Sequence, residues 1–386
     1  MSIDLDFAAL RRWPDIEADN LFAYDASDKL VLETAEQWMP RARVAIIGDN
    51  YGALTLGAAT IGSARDIRVH QDSLLGERAL AANAAEEKLE GSFSNHPLDA
   101  TLLEGATLVL VQVPKSLDEL EEILDAIARF ADPSVVVVAG GRIKHLTPTM
   151  NPLMLRYFES LEVSLAQQKS RAFTLRSPRQ LGESRFPVRE FHEDLKLWAV
   201  AHGAVFAGSS VDIGTRLLLG AIRKAAPDAE TAIDLGCGTG LLAASIALAR
   251  PAVKVIATDQ SAAAIASARE TMIANGVSDR VTVVRDDGLI DQPDDSADLI
   301  VLNPPFHIGA VVHTGPAQRL FSDAARVLRP GGELWTVFNT HLGYRQTLAR
   351  IVGPTDLVTH NAKFTVTVSR KPITTGGPAK PAQRDK

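Results

Sequence analysis

The chain has 386 residues, one cysteine and a formal net charge of −7. That length suits two domains of ordinary size, and an apolar content of 46% supplies a large core. The single Cys237 excludes a disulfide scaffold, no Cys/His spacing reads as a metal site, and no apolar run reaches the roughly 18 residues that span a bilayer. Met1–Asp15 mixes acids with apolar residues and lacks a basic stretch followed by an apolar one. The expectation is a cytoplasmic monomer without membrane contact.

The charge is unevenly spread. Residues 1–150 hold 24 acids and 13 Lys/Arg, a net of −11, whereas residues 151–386 hold 23 acids and 27 Lys/Arg, a net of +4. An acidic first part leaves room for a polyanion only at a local basic patch.

In chain order, Arg43–Ile47 is predicted as a strand, followed by the turn Gly48-Asp49-Asn50-Tyr51-Gly52. Ile67–His70 and Leu108–Gln112 read as further strands. Ser116–Phe130 is predicted as a helix, with apolar residues at 117, 120, 123, 124 and 127 and a capping-box pattern at Ser116 and Glu119. Val135–Ala139 is another strand. Lys169–Arg189, rich in Arg and holding Pro178 and Pro187, reads as a basic connector, with the crossing between domains near 180–195.

The second half repeats this plan. Thr231–Leu235 is a strand, Gly236–Gly240 a turn and Leu241–Ala249 an Ala/Leu-rich helix. Val253–Thr258 is a strand closed by Asp259, and Ala262–Asn275 a helix with Gly276 as its C-cap. Val281–Arg285 and Ala297–Leu302 are strands, Gln318–Leu328 a helix and Glu333–Asn339 a strand. The tail Arg370–Lys386 carries Gly376-Gly377-Pro378 and reads as disordered. Strands alternating with helices point to two tandem doubly wound α/β domains with parallel sheets.

Their motifs lie at nearly constant offset. Gly48 and Gly52 precede Gly236 and Gly240 by 188 residues, and Gln112 precedes Asn303 by 191. This pattern implies a duplicated domain. The first copy is degenerate, because Ile46 stands where the second has Asp234, Asn50 where it has Gly238, and Gln112-Val113-Pro114-Lys115 where it has Asn303-Pro304-Pro305-Phe306.

The chemistry therefore falls to the second half. Asp234-Leu235-Gly236-Cys237-Gly238-Thr239-Gly240 is a strand-to-helix turn in which backbone can approach a ligand and helix N–H groups can face it. It lacks the dinucleotide spacing, since Ala243 stands at the last glycine position. The ligand expected is S-adenosylmethionine, with Asp234 toward its ammonium group. Asp259, 19 residues past Gly240, suits the ribose hydroxyls. Of Asp286 and Asp287, the latter is preferred for the adenine amine. Cys237 reads as a small filler.

Asn303-Pro304-Pro305-Phe306-His307 follows the strand Ala297–Leu302. An exocyclic base amine is a poor nucleophile, because its lone pair is delocalised into the ring. The Asn303 side-chain oxygen and the Pro304 carbonyl accept its two hydrogens and pull the nitrogen toward sp³. Two prolines stiffen the loop. Phe306 offers a stacking face, worth about 1–3 kcal/mol. His307 is a candidate contact to base or phosphate. For RNA beyond the target base, the candidates are Lys169, Arg171, Arg176 and Arg179.

These motifs resemble the bacterial ribosomal RNA guanine-N2 methyltransferases of the RsmC/RlmG type, whose degenerate methyltransferase domain precedes an active one. The resemblance covers nearly the whole chain. It is carried by Asn303–His307, by Val205-Phe206 with Asp212-Ile213-Gly214, by Asn339-Thr340-His341-Leu342 and by Asn361-Ala362-Lys363-Phe364. Gly52-Ala53-Leu54 and Val113-Pro114-Lys115 lie closer to the large-subunit branch. The resemblance implies a class I methyltransferase fold, rRNA or a partly assembled ribosomal subunit as substrate, and domains at 1–190 and 191–372 before a tail at 373–386. It further implies that Phe206, Asp212 and Thr215 lie near the methionine end of the donor. The family's Ser after the Phe is here Ala207. A protein glutamine-amide methyltransferase also uses Asn-Pro-Pro, but usually with Tyr at the position of Phe306 and a small helical N-domain. A non-catalytic RNA-binding scaffold is the third reading, opposed by the intact Asp234, Asp259 and Asn303.

Overall fold

The computed structural model describes residues 5–61, 64–304 and 315–373. Phe306, His307 and most of the predicted tail lie outside them.

The first half carries strands β1 (Arg43–Ile47), β2 (Arg65–His70), β3 (Phe93–Asn95), β4 (Leu108–Gln112), β5 (Val136–Arg142), β6 (Phe158–Val163) and β7 (Ser170–Pro178). They form one sheet in the order β3-β2-β1-β4-β5-β7-β6. The five strands from β3 to β5 run parallel, and β7 pairs antiparallel with both β5 and β6. Helices α1 (Ala26–Ala35), α2 (Ala53–Thr60), α3 (Leu74–Glu86), α4 (Ala100–Leu103), α5 (Leu117–Phe130) and α6 (Met150–Tyr157) accompany them.

A short hairpin follows, β8 (Val188–His192) with β9 (Leu197–Ala201). The second half then holds β10 (Thr231–Leu235), β11 (Lys254–Asp259), β12 (Val281–Arg285), β13 (Ala297–Leu302), β14 (Leu328–Asn339), β15 (Thr355–His360) and β16 (Phe364–Arg370). Its sheet order is β12-β11-β10-β13-β14-β16-β15, the same plan strand for strand. Its helices are α7 (Ile213–Ala221), α8 (Leu241–Ala249), α9 (Ala262–Ala274), α10 (Gly315–Val327) and α11 (Arg345–Ile351). The chain divides into two compact units, one of residues 1–190, 200–209 and 260–267, the other of 191–199, 210–259 and 268–386.

Period-two alternation places successive residues of each central strand in different cores. On β10, Ala232 joins the cluster of Val255, Ala257, Leu299 and Val301, while Ile233 and Leu235 join that of Ile300, Leu302, Phe321 and Phe338. Both faces are covered, so these strands read as continuous apolar runs. On α5, Leu120, Ile123, Leu124 and Ile127 are buried as their spacing predicts, whereas Leu117 is exposed. Ser116 caps this helix by accepting the Glu119 N–H at 3.3 Å.

One expectation is corrected. Most of the first half of the predicted basic connector Lys169–Arg189 is strand β7, an interior member of the sheet. Its Ala172, Phe173 and Leu175 are buried. Arg171 and Arg176, which flank them, masked the strand pattern.

The topology explains where the two second-half motifs meet. The chain leaves β10 toward β11 on one side and later returns to β13 on the other. Crevices at the carboxyl ends of strands form at such a switch point. β10 pairs directly with β13, Leu235 opposite Leu302, so the Asp234 turn and Asn303 emerge side by side. Among the described residues no helix is long and apolar enough to cross a membrane.

Candidate active site

The glycines of the turn are required by backbone geometry. Gly236, Gly238 and Gly240 have φ of +69°, +53° and +78°, where other residues are strained. A Cβ on Gly240 would lie 2.7 Å from the Met272 Cε and 3.1 Å from the Ala268 Cβ, so this glycine also serves packing. A Cβ on Gly236 or Gly238 would meet nothing within 4 Å. Open space thus borders the two glycines that precede the helix cap.

Asp234 is fully buried. Its Oδ2 accepts the Ala243 N–H at 2.9 Å, and its Oδ1 has no hydrogen-bond partner among the described residues. Burial pushes this carboxyl up to about 7, and the Asp259 charge adds to the rise. Asp259 is half-buried and accepts the Gly238 N–H through Oδ2 at 3.0 Å. A buried acceptor lacking a partner, open glycine backbone and a second carboxylate at the turn fit the polar, cationic end of S-adenosylmethionine. Cys237 is buried and its thiol is pushed well up by burial, which suits a filler and not a nucleophile.

The adenine candidates lie at the end of β12. Asp286 is buried and accepts the Asp291 N–H at 3.2 Å. Asp287 is also buried, and both its oxygens face the guanidinium of Arg319 on α10. Sequence reading missed this ion pair, because nothing marks a partner 32 residues away.

Asn303 carries the most informative geometry. Its Nδ2 donates to Asp212 Oδ2 at 3.2 Å and to Thr215 Oγ1 at 3.0 Å. Its Oδ1 is buried and has no partner among the described residues. Pro304 beside it is buried. Asp212 is the N-cap of α7, accepting from Gly214 N at 2.7 Å and from Thr215 N at 3.3 Å. Gly214 is held close by the Phe364 ring, whose Cε1 would stand 3.1 Å from a Cβ there. The segments Asp212–Gly214 and Asn361–Phe364 therefore meet at the side of Asn303. Phe206 is 81% exposed and belongs to the first compact unit.

The expected RNA cations do not gather on one face. Lys169, Arg171 and Arg179 are exposed, while Arg176 lies over the Trp38 ring with 5.0 Å to its centroid. Arg171 and Arg176 stand opposite Gly141 and Val136 in an unbroken register. Five residues apart on one strand, they project from opposite faces.

The first half shows why it is degenerate. Asp49, fully buried, accepts from Leu54 N at 2.6 Å and Thr55 N at 2.8 Å, so its own carboxylate occupies the start of α2. Burial pushes that carboxyl up to about 6. Asn50 adopts φ +61° where the second half has Gly238.

Comparison with known proteins follows this division. The RLMG N-terminal domain family matches residues 1–179 and the Methyltransferase small domain family matches residues 196–368. Ribosomal RNA large subunit methyltransferase G of Streptomyces avermitilis is 36% identical, over 93% of this chain and 95% of its own. Its counterpart in Pseudomonas entomophila is 37% identical, over 95% and 98%. Among solved structures, the T. thermophilus 16S rRNA N2 methyltransferase RsmC, in complex with AdoMet and guanosine, matches with a TM-score of 0.72. It is 21% identical, over 90% of this chain and 92% of its own, a likeness of fold. By its identity to these relatives along nearly its whole length, the chain belongs to the ribosomal RNA large subunit methyltransferase G family.

Proposed function

We propose that this protein transfers a methyl group from S-adenosylmethionine to the exocyclic N2 amine of a guanine in ribosomal RNA. The observation that carries the reading is Asn303, whose amide N–H groups are both engaged while its oxygen is left as a buried acceptor. A buried acceptor without a partner costs about 1–3 kcal/mol, and an incoming N–H donor removes that cost.

When bound, S-adenosylmethionine supplies a methyl group on a positively charged sulfur. Asn303 Oδ1 accepts one amine hydrogen and holds the nitrogen lone pair out of conjugation with the ring. The Pro304 carbonyl is assigned the second hydrogen. Asp234 and Asp259 are assigned to the ammonium and ribose of the donor. As the N–C bond forms the amine becomes strongly acidic, so its proton leaves without a strong base. Phe306 and His307, outside the described residues, are assigned to the face of the base and to base or phosphate.

Guanine follows the RsmC fold neighbour, which carries guanosine beside AdoMet. Ribosomal RNA follows the names of the relatives. In this reading the first half, residues 1–190, reads RNA shape, because one base pocket cannot choose among all guanines.

The experiment offers donor labelled in its methyl group to ribosomal RNA and to total protein in parallel, with purified full-length enzyme. Label is expected in RNA. Label confined to protein would favour the glutamine-amide chemistry, and label in neither would leave the scaffold reading.

A further inference from the structure

The polarity of the Asn303 amide is set by chemistry. Asp212, as a carboxylate, only accepts hydrogen bonds. Thr215 Oγ1 donates its single hydrogen to Asp212 Oδ2 and therefore offers only lone pairs to Asn303. The group facing these two acceptors must be the NH2 of the amide. Both its hydrogens are consumed there, and Oδ1 has no partner among the described residues.

The degenerate half contains the same device in altered form. Gln112, at the end of β4, donates through Nε2 to Asp28 Oδ1 and, at 3.1 Å, to Ser27 Oγ, both in the first turn of α1. Asp25 caps that helix as Asp212 caps α7. Ser27 and Asp28 occupy the positions of Gly214 and Thr215. There the Ser27 hydroxyl gives its single hydrogen to Asp25 Oδ1, as Thr215 gives its own to Asp212, and so offers Gln112 only lone pairs. In the second half the position of Ser27 is Gly214, which has no side chain, and the Asn303 amide is held by Asp212 and Thr215.

We propose that Asp212 and Thr215 are positioning residues that lock the Asn303 amide with its oxygen outward, so that the site selects an N–H donor as the methyl acceptor. This rests on the reaction proposed above. With the lock in place, a carbonyl oxygen of a base meets a like acceptor at Asn303 and is rejected, whereas an amine is held. Without it, the amide rotates and offers NH2 to the amine, which repels it.

The test is single-turnover methyl transfer to ribosomal RNA by full-length variants, with donor affinity measured alongside. Asn also serves as an N-cap, so Asp212→Asn keeps a cap at the start of α7 and reverses the polarity facing residue 303 and the Thr215 hydroxyl. It is expected to lower the transfer rate about 10- to 100-fold with donor affinity kept. Thr215→Val is expected to act alike, and Thr215→Ser to keep most of the rate. The double variant Asp212→Asn with Asn303→Asp restores an acceptor toward the amine and is expected to exceed either single variant. Helicity and melting temperature confirm that each variant is folded. If Asp212→Asn fails to fold, the Thr215 pair decides alone.

Parent-like rates in both Asp212→Asn and Thr215→Val overturn the lock, as do equal rates in Thr215→Ser and Thr215→Val. A parent enzyme that labels no RNA overturns the reaction itself, a result distinguishable from failure of the lock.

Discussion

Asp234 Oδ2 accepts the backbone N–H of Ala243 at 2.9 Å, which ties the end of β10 to the first turn of α8. Only one oxygen serves this bond. Burial holds the carboxyl at about 7, above its ordinary 3.8. Between these values the folded state keeps a proton that the unfolded chain has released, so this group's contribution to stability falls as pH rises from about 4 to about 7. Donor affinity runs the opposite way, since a cationic ligand pairs with the ionised form. Calorimetry between pH 5.5 and 7.5 is expected to show affinity rising through about 7. Asp234→Asn is expected to weaken binding and flatten that profile. An unchanged slope in the variant would separate Asp234 from the donor.

Asp49 accepts two N–H groups at the start of α2, and Ile46 replaces the acid of the strand. One donor per chain is therefore expected by calorimetry, and Asp259→Ala is expected to abolish binding. Asp49→Ala leaves the Leu54 and Thr55 N–H groups without an acceptor. It is expected to cost about 1–3 kcal/mol in urea unfolding without changing donor stoichiometry. A stoichiometry of two would refute the degenerate reading of the first half.

Two glycines of one turn are expected to fail differently. Gly240→Ala puts a methyl group against Met272 and Ala268, a clash added to an unfavourable φ, and should cost about 1–3 kcal/mol of stability. Gly238→Ala enters open space and should cost about 1 kcal/mol from its backbone conformation alone. Its methyl group projects where the donor is proposed to lie, so donor binding should fall while the fold holds. Equal losses of stability and binding in both variants would remove the distinction.

The opposite directions of Arg171 and Arg176 bear on RNA contact. Arg171→Ala and Arg179→Ala remove exposed cations, and each is expected to lower the salt slope of RNA binding by about 1 if it meets a phosphate. Arg176→Ala removes a guanidinium packed on Trp38 and is expected to lower stability and leave the slope unchanged. A slope that responds only to Arg176 would reverse this assignment.

Much of the fold was legible because apolar runs ended at turn residues. Arg43–Ile47, Leu108–Gln112, Thr231–Leu235, Val281–Arg285 and Ala297–Leu302 form strands with the bounds their composition predicts. The strands on the antiparallel side were harder. β7 brackets a short buried run, Ala172–Leu175, with Arg171 and Arg176, and β15 exposes Asp356, Leu357 and Val358, so neither gives a long apolar run. Within the site, Asp234, Asp259 and Asn303 announced themselves through motifs. The link from Asn303 to Asp212 and Thr215 spans 91 and 88 residues and exists only once β13 lies beside α7. Periodicity cannot carry a pairing of that kind. The Asp287–Arg319 pair was hidden for the same reason.

The reaction turns on one nitrogen atom, and the product can be read at that resolution. Ribosomal RNA methylated by the full-length enzyme with labelled donor is digested to nucleosides and separated. Label is expected in N2-methylguanosine, with Asn303→Ala lowering its formation by about 10²-fold or more while donor binding is kept. Label in a ring-nitrogen or ribose methyl product, or an Asn303→Ala variant that forms N2-methylguanosine at the parent rate, would contradict that reaction.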